Sequence, residues 1–266
     1  MTSDLLQGEN DWLIVLALLI LTMLVTEIGF RSGRRVVWDH PEGAKGQVTA
    51  ITGGALGLLV FLMALTFVMA VSRFDVRKQL VLDEANAIGT TYLRGRLLPP
   101  PDKAEISDLL RRYVDVRLEF YGAGDNEKLA KAIRDTEQIH GQLWTRADIL
   151  AERYPQSNFV ALFVQSLNDT FDLQARRVVA RDDHVPRAVL FVLFLATITV
   201  MALVGYGCGL YGRRNFVVTT LLSVLVAAVT LVILDLDRPS RGLFRVSQQS
   251  MVALQQELRR SVEGRR

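Results

Sequence analysis

Apolar and charged residues are distributed very unevenly along this chain of 266 residues. No Asp, Glu, Lys or Arg occurs in the 15 residues after Asp11, the 27 after Lys45, the 25 after Arg187 or the 20 after Arg214. A helix needs roughly 20 apolar residues to cross a hydrocarbon core of about 30 Å. Three stretches have that length, and the first reaches it if Glu27 lies near the interface. The pattern therefore predicts four transmembrane helices.

We place the four spans at about residues 12–30, 51–71, 186–205 and 216–234. The residues before Trp12 are acidic and include no Lys or Arg, whereas a cleaved signal peptide begins with basic residues. Trp12 also stands where an aromatic interfacial anchor belongs. The first stretch is therefore interpreted as a span.

Between the second and third spans, apolar residues recur at every third or fourth position, as in amphipathic helices. The second span has no break after Val71, so we expect its helix to continue until the prolines beginning at Pro99 stop it. Three more helices are predicted over 102–121, 127–154 and 157–182, packed as an antiparallel bundle. Their inward positions are Ile106, Leu109, Leu110, Tyr113, Val114, Val116, Leu118 and Phe120 in the first, Leu129, Ile133, Thr136, His140, Leu143, Ala147 and Leu150 in the second, and Phe159, Phe163, Leu167, Phe171 and Val178 in the third.

These elements predict an all-α fold class, namely a four-span integral membrane protein with a helical-bundle soluble domain inserted between the second and third spans. Residues 1–71 hold the first two spans and a basic linker, and 72–185 the soluble domain. Residues 186–236 hold the third and fourth spans. The tail, 237–266, is predicted to form an amphipathic helix with an inward face of Met251, Leu254, Leu258 and Val262.

Several classes of function are excluded by composition and motif. A single cysteine and three histidines leave no intrachain disulfide and no multi-cysteine metal site. The motifs G-x-S-x-G, H-E-x-x-H and G-x-x-x-x-G-K are absent from the sequence, so we do not expect an enzyme. The net charge of +3 does not indicate nucleic acid, because excess arginine in a membrane protein reflects topology and lipid headgroups. The expected partner is the lipid bilayer.

Small residues on the second and third spans are candidates for close helix packing. Gly53 and Gly57 form a G-x-x-x-G pair on the second span, and Gly205 and Gly209 form another on the third. Such pairs let helix backbones approach each other within a membrane.

A second interpretation applies to the second span. Gly57, Phe61 and Leu65 are four residues apart and share one face of a helix, so around a symmetry axis they would line a pore with an apolar constriction. The cations that follow are either a solvated helix face or a charge that attracts ions to the pore mouth. They are Arg73, Arg77 and Lys78.

Carboxylates at the ends of the spans have two interpretations each. Glu27 is either a functional membrane carboxylate or, with Arg31 one turn away, the partner in an interfacial ion pair, which we favour. Asp235 and Asp237 could provide oxygen ligands for a hard cation such as calcium, or form salt bridges with neighbouring arginines. No other cofactor is indicated.

Four segments carry a family resemblance. They are Ser72–Lys78, directly after the second span, Asp83–Gly89, Ile233–Pro239 and Arg245–Gln249. Together they resemble the bacterial family described as bestrophin-like, and the resemblance extends over nearly the whole chain. That family is similar in plan to bestrophins, which are pentameric anion channels with four membrane helices per subunit.

The resemblance implies a role for the second span, which lines the pore in bestrophins with an apolar neck above an Arg-aromatic motif. Placing that motif on Arg73 and Phe74 puts Phe61 and Leu65 at the neck, and Gly57 where a bulky residue is expected. Asp235 and Asp237 correspond loosely to an acidic segment that binds calcium in some bestrophins, without its dense acidic cluster.

The orientation in the membrane is left open by charge. The first span is followed by arginines and preceded by no cation, which places its amino end outside. Of the 31 Lys and Arg residues, however, 25 lie on the side of the soluble domain and tail, which favours that side as the inner one. The resemblance implies a cytoplasmic domain and the bacterial inner membrane.

Two functional hypotheses follow. The first is a homo-oligomeric channel for inorganic anions, a pentamer by resemblance, with its pore lined by the second span. The alternative is a non-conducting scaffold or sensor that acts through the helical domain, because the second and third spans offer no polar group for a selective ion site. A secondary transporter would have broken helices and several membrane carboxylates, whereas the spans show no break and hold one carboxylate, Glu27, near an end.

Overall fold

The computed structural model describes residues 11–36, 42–122, 126–238 and 244–263. Within these ranges all regular secondary structure is α-helical, which confirms the predicted all-α class. The helices are α1 (Asp11–Val36), α2 (Glu42–Gly95), α3 (Asp102–Gly122), α4 (Asn126–Arg153), α5 (Asn158–Asp182), α6 (Arg187–Leu210), α7 (Phe216–Asp237) and α8 (Gln249–Glu263).

Four of the described helices are long and apolar enough to cross a membrane, as predicted. They are α1, α2, α6 and α7. Pro186 directly precedes α6, where its missing N–H leaves no helix hydrogen bond unmade. The helix α2 has 54 residues and ends at Gly95, shortly before the run of prolines that was expected to stop it.

The chain divides into two compact units. We name the first the membrane unit, which consists of the chain up to Arg73 and of His184–Arg238. The second, named the bundle unit, consists of Phe74–Asp183 and of the chain from Pro239 onward.

In the membrane unit, α1 packs against both α6 and α7. The side chains of Met201, Leu193 and Ile233 are buried there. Hydroxyl groups within the spans donate to carbonyls of their own helix, as from Thr22 Oγ1 to Leu19 O at 2.9 Å. These bonds satisfy polar groups that the hydrocarbon could not solvate.

The bundle unit has one apolar core, to which α2, α3, α4, α5 and α8 all contribute. Apart from Phe159, the predicted inward positions are buried or partly buried, and Tyr113, Leu143 and Phe163 belong to this core. Three tail residues also belong to this core, namely Met251, Leu254 and Leu258. The side chain of Val262 lies outside the described residues.

One predicted inward position is wrong. Phe159 is exposed, because Val160 takes the buried place in the first turn of α5. That turn is capped by Ser157, whose Oγ accepts a hydrogen bond from the backbone N–H of Val160 at 3.4 Å.

Candidate functional site

One face of α2 within the membrane unit is uncovered in the single chain. Phe61 is 58% exposed and Leu65 is 48% exposed. A Cβ atom added to Gly57 would meet no atom of the described chain within 4 Å. The side chains on the opposite face of the same helix are buried, among them Leu59 and Met63. These positions therefore form an apolar stripe that the subunit itself does not cover, and we name Gly57, Phe61 and Leu65 the open stripe.

The small residues one turn earlier on α2 are equally uncovered. A Cβ atom on Gly53 or Gly54 would also find no described atom within 4 Å. The G-x-x-x-G pair of Gly53 and Gly57 therefore has no helix of the described residues packed against it.

The glycines on α6 have the opposite environment. A Cβ atom on Gly205 would overlap the backbone carbonyl of Thr26, and one on Gly209 would overlap that of Phe30, in each case at under 3.0 Å. The two backbones of α6 and α1 are thus in direct contact at these positions. Close contact of this kind requires residues without a side chain.

Two further glycines in this contact were missed by sequence reasoning. Gly29 on α1 lies against the carbonyl of Ala202, and Gly33 lies against that of Tyr206. They are four residues apart, so the same G-x-x-x-G spacing that singled out α6 and α2 was also the available signal on α1.

The three cations predicted for a pore mouth have different environments. Arg77 is only 6% exposed. Its Nε donates to Ala180 O at 2.9 Å and its Nη2 donates to Asp183 O at 2.6 Å, at the carboxyl end of α5. A cation is favourable there, because the terminal carbonyls carry partial negative charge. Arg73 is half-buried and Lys78 is exposed.

Glu27 is held in the predicted ion pair, which is confirmed. It accepts a hydrogen bond from Arg31 Nε at 2.8 Å. A second partner, Arg214, comes from the connection between α6 and α7. The carboxylate near the end of the first span is therefore neutralised by two cations that also lie at span ends.

Asp235 and Asp237 are buried near the end of α7. Asp237 Oδ1 accepts a hydrogen bond from the backbone N–H of Val185 at 2.8 Å, which joins the ends of the third and fourth spans. Among the described residues no group of three or more potential metal ligands occurs. Calcium at this pair stays a prediction.

Sequence reasoning also missed a buried ionic cluster in the bundle unit. Arg117 Nε donates to Glu84 Oε1 at 2.7 Å, and Arg177 contacts the other carboxylate oxygen. Arg177 Nη2 also donates to Gln248 Oε1 at 3.2 Å. The available signal was Arg117 itself, which follows Tyr113 by four residues on the apolar stripe of α3.

Aromatic groups surround this cluster. The Arg177 guanidinium carbon lies 3.8 Å from the centre of the Tyr121 ring, and that of Arg117 lies 4.6 Å from the Phe120 ring. Burial raises the pKa of Tyr121 and raises that of Tyr113 still further. Both phenols are therefore neutral at physiological pH.

His140 lies beside the cluster and stacks on Phe171 at 3.8 Å between ring centres. Its Nε2 is 3.2 Å from the Tyr113 hydroxyl. Burial, with a smaller contribution from the charge of Arg117, lowers the pKa of His140 to about 4. The imidazole is therefore neutral at pH 7.

Comparison of the chain with known proteins identifies proteins of similar fold and the family to which the chain belongs. The chain is similar to a bacterial bestrophin homologue from Klebsiella pneumoniae solved by zinc phasing, with 16% identity, a TM-score of 0.65, and 92% of this chain and 97% of that chain covered. A single-substitution variant of a bestrophin homologue from the same organism has 16% identity, a TM-score of 0.68 and the same coverage. At these identities the likeness shows the fold.

No curated protein matches the chain. The family comparison is more informative, because residues 13–251 match the bestrophin-like domain. That range covers most of the chain and includes all four spans. The chain belongs to the bestrophin-like family.

Proposed function

We propose that this protein is a subunit of a homo-oligomeric channel of the bacterial inner membrane, which conducts inorganic anions through a pore lined by α2. The observation that carries the proposal is the open stripe. Gly57, Phe61 and Leu65 are uncovered within the chain, while the opposite face of the same helix is buried.

Two surroundings could cover the open stripe, namely lipid or further copies of the chain. Lipid gives no reason for three glycines within five residues, because glycine weakens a helix and offers little apolar surface. Packing around a symmetry axis does give one, since small residues let neighbouring helices approach. The stripe would then present Phe61 and Leu65 as an apolar constriction, which gates by excluding water.

Charge supports anions as the permeant ions. Exposed Lys78 and half-buried Arg73 follow the apolar part of α2, and a ring of such cations raises the local anion concentration. The family resemblance supports a pentamer with a cytoplasmic bundle unit. That orientation agrees with the 25 of 31 Lys and Arg residues on the side of the domain and tail.

The test is ion flux from proteoliposomes that contain the purified protein, measured with chloride, iodide and potassium gradients. Phe61→Ala is compared with wild type and with Phe67→Ala as a matched control. Phe67 is also exposed on α2, but it is six residues further and lies off the open stripe. Repeating the assay with calcium addresses Asp235 and Asp237.

Anion-selective flux that Phe61→Ala increases or makes less selective, with Phe67→Ala unchanged, is the expected result. Silence from all three proteins, in preparations shown to be folded and oligomeric, would overturn the proposal. The protein would then act as a membrane scaffold or sensor through its helical domain.

A further inference from the structure

The bundle unit buries two guanidinium groups against one carboxylate. Glu84 and Arg117 are both 0% exposed, and Arg177 is 2% exposed. Glu84 divides its two oxygens between the two arginines. Two guanidinium groups against one carboxylate give this cluster a formal net charge of +1 inside the protein.

Three nitrogen atoms in the cluster have no hydrogen-bond partner among the described residues. They are Nη1 and Nη2 of Arg117 and Nε of Arg177, and all three are inaccessible to solvent. Buried N–H groups are nearly always paired, and unpaired ones destabilise a fold. The site therefore requires a hydrogen-bond acceptor for these three N–H groups.

Two tyrosines beside the cluster, Tyr113 and Tyr121, do not provide a second negative charge. Tyr113 and Tyr121 stay neutral because burial raises the pKa of each. The rings of Phe120 and Tyr121 face the guanidinium groups and offset part of the charge. The N–H groups, however, lie in the plane of each guanidinium and need acceptors of their own.

We propose that Arg117 and Arg177 hold a small monovalent inorganic anion, such as chloride, as a structural ligand within the bundle unit. The anion neutralises the formal charge of +1 on the cluster and accepts hydrogen bonds from the unpaired N–H groups. The site is formed by residues of the bundle unit alone, so it does not depend on whether the protein conducts.

The experiment is thermal unfolding of the full-length protein in detergent, at constant ionic strength, as sodium chloride replaces sodium gluconate. Gluconate is too large for a buried site of this kind. A ligand that binds only the folded state raises Tm, by roughly 5 °C or more at a hundredfold excess over Kd. Wild type is expected to show this rise.

Arg177→Leu is the test variant, because it leaves the neutral Glu84–Arg117 pair and is expected to lose the chloride dependence. Arg176→Leu is the matched control, since Arg176 is the exposed neighbour on the same helix. It should keep the full rise. A wild-type Tm that is the same in both salts, or an equal chloride dependence in Arg177→Leu, would overturn the proposal.

A second measurement applies if Arg177→Leu does not fold. Crystals of wild type grown in bromide should give an anomalous peak beside the unpaired nitrogen atoms of Arg117 and Arg177. An empty map at that position, with bromide visible elsewhere, would contradict the site. Flux and Tm are measured separately. If the protein shows no ion flux but its Tm depends on chloride, only the proposed function is contradicted.

Discussion

Pairs of glycines four residues apart occur on both α6 and α2, and their surroundings are opposite. On α6, a Cβ atom at Gly205 or Gly209 would collide with the backbone of α1. On α2, a Cβ atom at Gly53 or Gly57 would meet nothing in the described chain. The same sequence motif is therefore occupied in one helix and open in the other.

The difference separates contacts that build the subunit from a surface left for something else. A backbone contact between α1 and α6 is complete within one chain. The glycine pair on α2 has the same spacing and no partner within the described chain, which is the reason for placing further copies against this face in the proposed function. Substitutions of Gly205, with Gly207 as its control, and of Gly57 examine this distinction, and the titration of His140 identifies the unit that unfolds. The expected effects decrease in the order Gly205, His140, Gly57.

Gly205→Ala should lower the free energy of unfolding by roughly 3 kcal/mol or more, because overpacking costs about 1–3 kcal/mol even where side chains can adjust. Here the added methyl group meets the backbone carbonyl of Thr26, so α1 and α6 must move apart. Thermal or denaturant unfolding in detergent measures the change.

Gly207→Ala is the control for this substitution. A Cβ atom there meets no described atom within 4 Å, on the same helix and two residues away. It should leave stability unchanged or raise it by about 0.5–1 kcal/mol through better helix propensity. An equal loss of stability in both variants would show that Gly205 is not required for the close contact between α1 and α6.

His140 gives the second prediction and shows which unit an unfolding signal reports. Its folded pKa of about 4 lies below its ordinary value of 6.5, so the unfolded chain takes the proton first as pH falls. Stability should therefore fall by about 3 kcal/mol between roughly pH 6.5 and pH 4, and His140 should contribute no slope above that window.

Fluorescence of Trp144, in a chain with Trp12 and Trp38 replaced by Phe, suits this measurement, because its ring lies 6.3 Å from Phe171, on which His140 stacks. Comparison with His140→Gln isolates the contribution of this one group from that of the acidic residues. An identical pH slope in the variant would mean that His140 is not the group responsible. If the pH-dependent transition is also the one that Gly205→Ala shifts, the two units unfold together.

Much of the fold was predictable from local pattern. The charge-free stretches predicted α1, α2, α6 and α7. Apolar residues at every third or fourth position predicted the helices of the bundle unit. These signals are local, because each depends on one helix and the medium around it.

The close contacts were harder to predict, because they depend on which helices meet. Gly53 and Gly205 belong to the same sequence motif. The structure shows that α1 packs against Gly205, whereas no described residue packs against Gly53. Arg77 appeared as an exposed boundary charge until α5 placed two carbonyls against it. Glu84 and Arg177 are 93 residues apart, and no local spacing relates them.

Gly57→Ala should have the smallest effect on the chain and the most informative one on function. Because a Cβ atom at Gly57 contacts nothing in the described subunit, stability should stay level or rise by about 0.5–1 kcal/mol, as for Gly207→Ala. If the open stripe faces a shared axis, each copy adds a methyl group beside the constriction and flux should fall, whereas Gly207→Ala leaves it unchanged. Unfolding and proteoliposome flux on the same preparations measure both.

A loss of stability like that of Gly205→Ala would mean that another helix packs on this face. Unchanged stability with unchanged flux would leave the stripe facing lipid, and the contrast between the two glycine pairs would then concern only the subunit.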